Sequence, residues 1–308
     1  MRIFNIGTNT HLRHPLPICA CIGYFDGMHK GHQELIKRTV ELSEKYNCES
    51  TLITFDPDPW ITIKGLDSVE HITPVRQRMN LAVYFGIENF VILNFNEEMS
   101  RMPHAEFCEK ILGQLDLKGL VCGFDFRYGY QGEGNAETLK EEAGCEVIVV
   151  DAVEDEKGKI SSSRIASELK AGNMEEVNAM LGYPYFIEGT VIEGNHKGTG
   201  IGFPTANVKY SAEYLLPRTG VYAGFATVAG RQYKAMINLG HNPTFNYSER
   251  LSLEVHLLGF KGDIYGKYMR VYPLYYVRDE MRFNSKENLC MQLYQDRRTV
   301  RSLLKEYE

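Results

Sequence analysis

Gly23-Tyr24-Phe25-Asp26-Gly27-Met28-His29-Lys30-Gly31-His32 stands between an apolar run, Ile18-Cys19-Ala20-Cys21-Ile22, and an amphipathic one. The apolar run has the pattern of a strand buried on both faces. Beyond the quoted stretch, Leu35, Ile36, Val40 and Leu42 recur at the spacing of one helix face, which predicts a helix reaching Tyr46. The stretch therefore reads as a glycine-hinged turn between a strand and a helix start. Gly23 and Gly27 permit unusual torsions and close approach to a ligand, and His29 and His32, three apart, project to one side. Free amides and the positive dipole end of a helix attract an anion, so this reading aims two imidazoles at a phosphate. Two other readings stay open: a metal half-site, for which no third ligand stands nearby in the sequence, and a solvated helix start. The stretch is neither a Walker loop nor a Gly-x-Gly-x-x-Gly dinucleotide turn.

Working outward, Thr51-Leu52-Ile53-Thr54-Phe55 is a second strand, stopped by Asp56-Pro57-Asp58-Pro59-Trp60, whose prolines predict an extended loop. Ligands of a parallel sheet bind beyond the carboxyl ends of its strands, which places this loop beside His29. Further along, Thr73 to Arg78 opens a helix with Pro74 in its first turn, Phe90 to Leu93 is a strand, and Pro103 starts a helix. Leu120-Val121-Cys122 is a strand running into the polar turn Gly123 to Gly129. Thr138 to Ala143 is helical and Val147 to Val150 is one more strand. The alternation of strand and helix argues for a doubly wound sheet. Lys159-Ile160-Ser161-Ser162-Ser163-Arg164 then leads a helix through Leu169 that Gly172 ends. Hydroxyls, amides and a guanidinium at that start form a second phosphate cradle, or simply cap the helix.

The ten-residue turn matches, position by position, the Gly-x-Phe-Asp-Gly-x-His-x-Gly-His motif of prokaryotic bifunctional riboflavin kinase/FAD synthetases. The resemblance implies a Rossmann-like nucleotidyltransferase domain in which His29 and His32 act on the ATP phosphates during adenylyl transfer. It implies ATP contacts at Gly23, Phe25, Asp26, Gly27, Ser161, Ser162 and Arg164. The family's flavin segment, Thr-Phe-Asp-Pro-His-Pro, is matched except at Asp58, making Phe55 and Pro57 candidate FMN-binding residues. Its Gly-x-x-Phe-x-x-Gly turn is matched at Gly123 to Gly129, adding Asp125 and Arg127. The Ile-Ser-Ser-Thr-x-x-Arg signature is matched with Ser163 for the threonine and Ala166 for the arginine, removing one fixed cation and leaving a kinase-only chain as a rival reading.

A short helix from Met174 to Leu181 ends at Gly182, and the domain boundary is placed there, giving residues 1–183 and 184–308. After it the rhythm changes. Phe186 to Ile192, Tyr222 to Val228, Gln232 to Asn238, Leu251 to Leu258 and Tyr268 to Tyr276 read as strands without helices between them, which suggests a small antiparallel barrel. Leu289, Leu293, Val300, Leu303 and Leu304 mark a closing amphipathic helix. Four glycines, including Gly198 and Gly202, fall within residues 194–202 and free backbone amides for an anion. Thr205 and Asn207 offer neutral oxygens suited to Mg²⁺ shared with a phosphate.

Gly202-Phe203-Pro204-Thr205-Ala206-Asn207 resembles the hallmark of riboflavin kinase, as do Asn242 to Phe245 and Asp263 to Gly266. By that resemblance Glu254 is the general base for the ribityl hydroxyl, Pro204 belongs to the ATP/Mg site, and Arg278, Glu280 and Phe283 lie near the flavin. The implied activity is phosphorylation of riboflavin to FMN and adenylylation of FMN to FAD, each with ATP and Mg²⁺. A flavin-binding regulator without turnover is the rival from another class.

Composition agrees with an ordinary globule of 308 residues, long enough for two cores. A formal charge of −6, from 34 basic and 40 acidic residues, offers no footprint for nucleic acid. The seven cysteines show no Cys-x-x-Cys pair and read as thiols of a reducing compartment. With no apolar stretch long enough for a membrane, the expectation is a cytoplasmic enzyme, its self-association left open.

Overall fold

A computed structural model describes residues 2–10, 15–193, 202–241 and 251–307. Gly198, the histidines at 11 and 14, and Asn242 to Phe245 lie outside the described residues. The chain divides into two compact units, Met1–Ser162 and Ser163–Glu308.

In the first unit, β1 (Arg2–Ile6), β2 (Pro17–Ile22), α1 (Lys30–Tyr46), β3 (Glu49–Phe55), α2 (Pro59–Lys64), α3 (Val75–Tyr84) and β4 (Asn89–Leu93) come first. They are followed by α4 (Glu97–Ser100), α5 (His104–Lys110), β5 (Asp116–Gly123), α6 (Ala136–Glu142) and β6 (Glu146–Val150). A small hairpin, β7 (Glu154–Asp155) and β8 (Gly158–Lys159), closes the unit. The main sheet is parallel with strand order β1-β4-β3-β2-β5-β6. From β2 the chain steps to β3 and β4 on one side and later to β5 and β6 on the other. The order therefore reverses between β2 and β5, and the crevice beyond their carboxyl ends is the ligand position of such sheets.

The all-apolar sequence of β2 follows from that central place. Ile18, Ala20 and Ile22 face one core layer, with Val91, Leu93 and Leu120, and Cys19 and Cys21 face the opposite layer beneath α1. Helix α1 buries Leu35, Ile36, Thr39 and Leu42; Thr39 takes the place expected for Val40, and its hydroxyl donates back to Leu35 O at 2.8 Å. A Cβ on Gly119 of β5 would stand 2.3 Å from Leu42, so that glycine sets how closely α1 lies on the sheet.

The proline-rich segment after β3 differs from the extended loop expected. Asp58 caps α2, accepting from Trp60 N at 2.7 Å, and Pro59 occupies the first turn, where a missing N–H costs nothing. Pro74 is itself the N-cap residue of α3. The serine-led helix is α7 (Ser162–Ala171), followed by α8 (Met174–Leu181).

The second unit contains β9 (Ile187–Ile192), β10 (Ala206–Tyr210), β11 (Gly220–Val228), β12 (Arg231–Gly240), β13 (Ser252–Leu257), β14 (Tyr268–Arg278) and α9 (Lys286–Leu303). The strands form a closed barrel in the order β10-β13-β12-β11-β14-β9. Strand β10 was not anticipated, because its first residues coincide with the motif Thr205-Ala206-Asn207. Alternation sorts the barrel's faces: Val255, Ile237, Tyr222 and Ala206 share one cross-strand row and fill the interior. Val221, Ala223 and Met236 face outward and are covered by Val300 and Leu304, with Leu293 packed alongside. Leu303, expected on that face, is 38% exposed. No helix among the described residues is long and apolar enough to cross a membrane.

Candidate active sites

The first cluster lies at the reversal between β2 and β5. His29 is the N-cap of α1, and its Nδ1 accepts from His32 N at 3.4 Å. In a neutral imidazole this leaves the proton on Nε2. The two rings stack with centroids 3.7 Å apart, and the buried Phe25 ring lies 5.2 Å from that of His32. Gly31 makes this stacking possible, since a Cβ there would stand 3.1 Å from the His29 ring. Both imidazoles are held neutral. Burial, helped by the Lys159 ammonium, lowers His29 to about 4 against the pull of Asp125, and burial with His29, Arg78 and Lys159 takes His32 well below its ordinary value. His32 Nδ1 is buried with no hydrogen-bond partner among the described residues.

A cleft of about 190 Å³ is lined by His29, His32, Gly123, Asp125, Lys159, Ser161 and Ser162, among others. The structure thus gathers the histidine turn, the turn after β5 and the serine segment. The Ser162 hydroxyl donates to Asp26 O at 2.7 Å, tying the serine segment to the histidine turn. Lys159, which the sequence reading left unassigned, pairs with the Asp125 carboxylate and lies 4.7 Å from the centre of the Phe124 ring. Its place on β8, in a hairpin the sequence reading missed, is what turns it into the cleft.

Other residues of the motif build the turn instead of lining the cleft. The Asp26 carboxylate, 8% exposed, accepts from Ile72 N at 3.1 Å and Thr73 N at 2.9 Å. Gly27, at φ +83, donates to Thr73 Oγ1 at 2.7 Å, and a Cβ on Gly23 would press the Phe25 ring at 3.2 Å. The buried Arg78 donates to Tyr24 O at 2.7 Å and Thr73 O at 3.2 Å, and holds the loop from beneath. Phe55 packs edge-on to Phe95 with centroids 5.9 Å apart, Pro57 follows a cis peptide bond, and Arg127 is exposed. Arg164 and Ala166 belong to the second unit, on α7.

The second cluster lies on the barrel's outer face. Glu254 on β13 is the register partner of Asn207 on β10 and of Asn238 on β12. Directly opposed residues share a face, so a carboxylate stands between two amides. Asn238 escaped the sequence reading because only strand register brings it to Glu254. Thr205 immediately precedes β10, two residues before Asn207. The preceding Phe203-Pro204 is fixed by His256, whose Nδ1 lies 2.8 Å from Pro204 O and whose ring is 5.3 Å from Phe203. Gly202, at φ +79, has open space where a Cβ would be. The donor set of Thr205, Asn207 and Glu254 is all oxygen, which suits a hard cation shared with phosphate. Among the described residues no cluster of three His, Cys, Asp or Glu side chains forms a metal cage.

Arg278, at the end of β14, is committed to Asp296 of α9 through contacts of 2.7 to 3.1 Å, and Asp296 is 1% exposed. Glu280 accepts from His241 N at 3.1 Å and occupies the space a Cβ on Gly240 would need, at 1.9 Å. Phe283 is half-buried just before α9.

Comparison with known proteins finds a family for each half of the chain. The FAD synthetase family profile matches residues 13–164 and the riboflavin kinase profile residues 181–304. The bifunctional riboflavin kinase/FMN adenylyltransferase of Listeria monocytogenes is 34% identical over 93% of this chain and 92% of its own. That of Bacillus subtilis is 35% identical over 90% and 89%. A solved structure named as a macrolide-efflux protein from Streptococcus pneumoniae superposes with a TM-score of 0.86 at 33% identity, covering 97% of this chain and 98% of that one. Two family domains in order, and relatives matched along nearly their whole length, place the chain in the bifunctional riboflavin kinase/FMN adenylyltransferase family.

Proposed function

We propose that the chain converts riboflavin to FAD in two ATP-dependent steps, with residues 184–308 carrying the kinase and residues 1–183 the adenylyltransferase. The observation that carries this reading is the pair of separate clusters, each suited to one transfer. In the kinase, Glu254 takes the proton of the ribityl hydroxyl as its oxygen attacks the γ-phosphorus, and ADP leaves. Asn207 and Asn238 orient that carboxylate. Thr205 and Asn207 accept the Mg²⁺ that arrives with ATP, and the segment around Gly198, Gly202 and Pro204 holds the phosphates. Arg278 acts at the flavin end through Asp296, positioning the stretch that bears Glu280 and Phe283.

In the adenylyltransferase, a phosphate oxygen of FMN attacks the α-phosphorus of a second ATP and pyrophosphate leaves. His29 donates Nε2–H to a phosphate oxygen, and His32 lies stacked behind it. Preorganised donors in a buried cleft stabilise charge far better than the same groups in water. Lys159 supplies a cation beside both histidines, and Ser161 and Ser162 complete the cradle. Phe55, Pro57, Asp125 and Arg127 serve the FMN side. Seven cysteines without a disulfide fit a cytoplasmic setting.

Chromatography of products tests the assignment. Glu254→Gln lowers FMN formation from riboflavin by about 10²-fold or more while FAD formation from added FMN continues. Loss of both steps in folded protein would sink the division of labour.

A further inference from the structure

The segment after β3 departs from the flavin motif at one residue, Asp58, and the structure shows what that carboxylate does. Asp58 is 4% exposed, with both oxygens engaged: Oδ1 accepts from Trp60 N at 2.7 Å and Oδ2 accepts from the Tyr24 hydroxyl. His71, in the segment between α2 and α3, is 8% exposed and brings Nδ1 to 2.9 Å from the same hydroxyl. A tyrosine hydroxyl has one proton. Since it goes to Asp58, His71 Nδ1 carries a proton and donates it to the tyrosine oxygen. The chain is therefore His71 to Tyr24 to Asp58 to the first amide of α2. Its middle member is fixed at the backbone, where Tyr24 O accepts from Arg78 at 2.7 Å and from Thr54 Oγ1 at 3.1 Å.

Tyr24 belongs to the histidine turn and Asp58 to the proline segment, so one hydroxyl joins the two. We propose that His71 is a positioning residue for FMN: it supplies, from another element, the imidazole that the motif carries at position 58, and through Tyr24 and Asp58 it holds the Pro57–Trp60 segment in place for the flavin. This rests on the adenylyltransferase reading above. The geometry makes the assignment specific, because both side chains are buried and His71 Nδ1 is 3.9 Å from Asp58 Oδ2, so the imidazole occupies nearly the place of a longer side chain at 58.

The test uses full-length protein making FAD from FMN and Mg-ATP, with the kinase step as the control for folding. His71→Ala and Tyr24→Phe should each raise KM for FMN about tenfold, the effect of one misplaced buried hydrogen bond, with kcat and KM for ATP held within about twofold. Combining His71→Ala with Asp58→His returns an imidazole to the site and should bring KM for FMN back to within about threefold of wild type. Should the double variant fail to fold, His71→Gln, which keeps an N–H for the tyrosine oxygen, must show the same recovery. A purely structural role predicts a lowered melting temperature with KM for FMN unmoved, or KM for ATP moved equally; either result overturns the inference, as does a folded double variant that stays impaired. Wild-type protein that makes no FAD would refute the functional reading instead.

Discussion

Lowering the pH should weaken the first unit, and His29 sets a share of that loss that can be isolated. Burial holds this imidazole at about 4 in the folded chain, against an ordinary 6.5. The unfolded state therefore binds the proton first as pH falls, and stabilisation that is complete above 6.5 is withdrawn between 6.5 and 4. The whole window is worth about 3 kcal/mol, of which about 2 kcal/mol is gone by pH 5. Asn serves well as an N-cap and has no proton to gain, so His29→Asn should lose about 2 kcal/mol less than wild type between pH 7.5 and pH 5. His32 stays buried beside Arg78 and Lys159 in both proteins, so the greater part of its contribution is common to the two. The chain's single tryptophan, Trp60, lies in this unit, so urea denaturation followed by tryptophan fluorescence reports on it without interference from the barrel. A pH dependence in His29→Asn within about 0.5 kcal/mol of wild type would show that His29 is not kept neutral by its burial.

Gly31→Ala places a methyl 3.1 Å from the His29 ring; FAD formation should fall about tenfold or more, read by product chromatography, while FMN formation is unchanged. Asp296→Asn leaves the Arg278 guanidinium without its counter-charge in a mostly buried place, and should cost the barrel unit about 3 kcal/mol, measured by calorimetry. Gly240→Ala drives the Glu280 carboxylate from its seat, and should raise KM for riboflavin in the kinase assay without lowering FAD formation from FMN.

What could be read from the sequence was whatever local chemistry decides. The β2 run, the glycine turn and the α1 face announce strand, turn and helix because burial on both faces, positive φ and a 3.6-residue period each leave their own mark. The location of the first cluster followed, since a parallel sheet presents its strand ends together. Asp58 was misjudged because two prolines look alike in an extended loop and in a helix start, and only the capping hydrogen bond to Trp60 N distinguishes them. Asp26 carries no sign in the sequence that its carboxylate is spent on the backbone of residues 72 and 73. Lys159 was overlooked because its two-residue strands are too short to leave an alternation pattern, and Asn238 because only the register of β12 with β13 brings it to Glu254. Strand β10 was hidden by its own motif.

The outward placement of Glu254 has a consequence for how the barrel can change. Val255, Ile237, Tyr222 and Ala206, one residue away along their strands, point the other way and are sealed inside. Substitution among them alters how firmly the cylinder holds its shape; on the proposed reading, substitution at Glu254, Asn207 and Asn238 on the outer wall alters turnover instead. Because these two sets alternate residue by residue, selection can tune the one while heat tolerance drifts in the other. A search for ligands of the kinase belongs on the rim and wall, where a small molecule competes with substrate, since the lumen is packed with side chains.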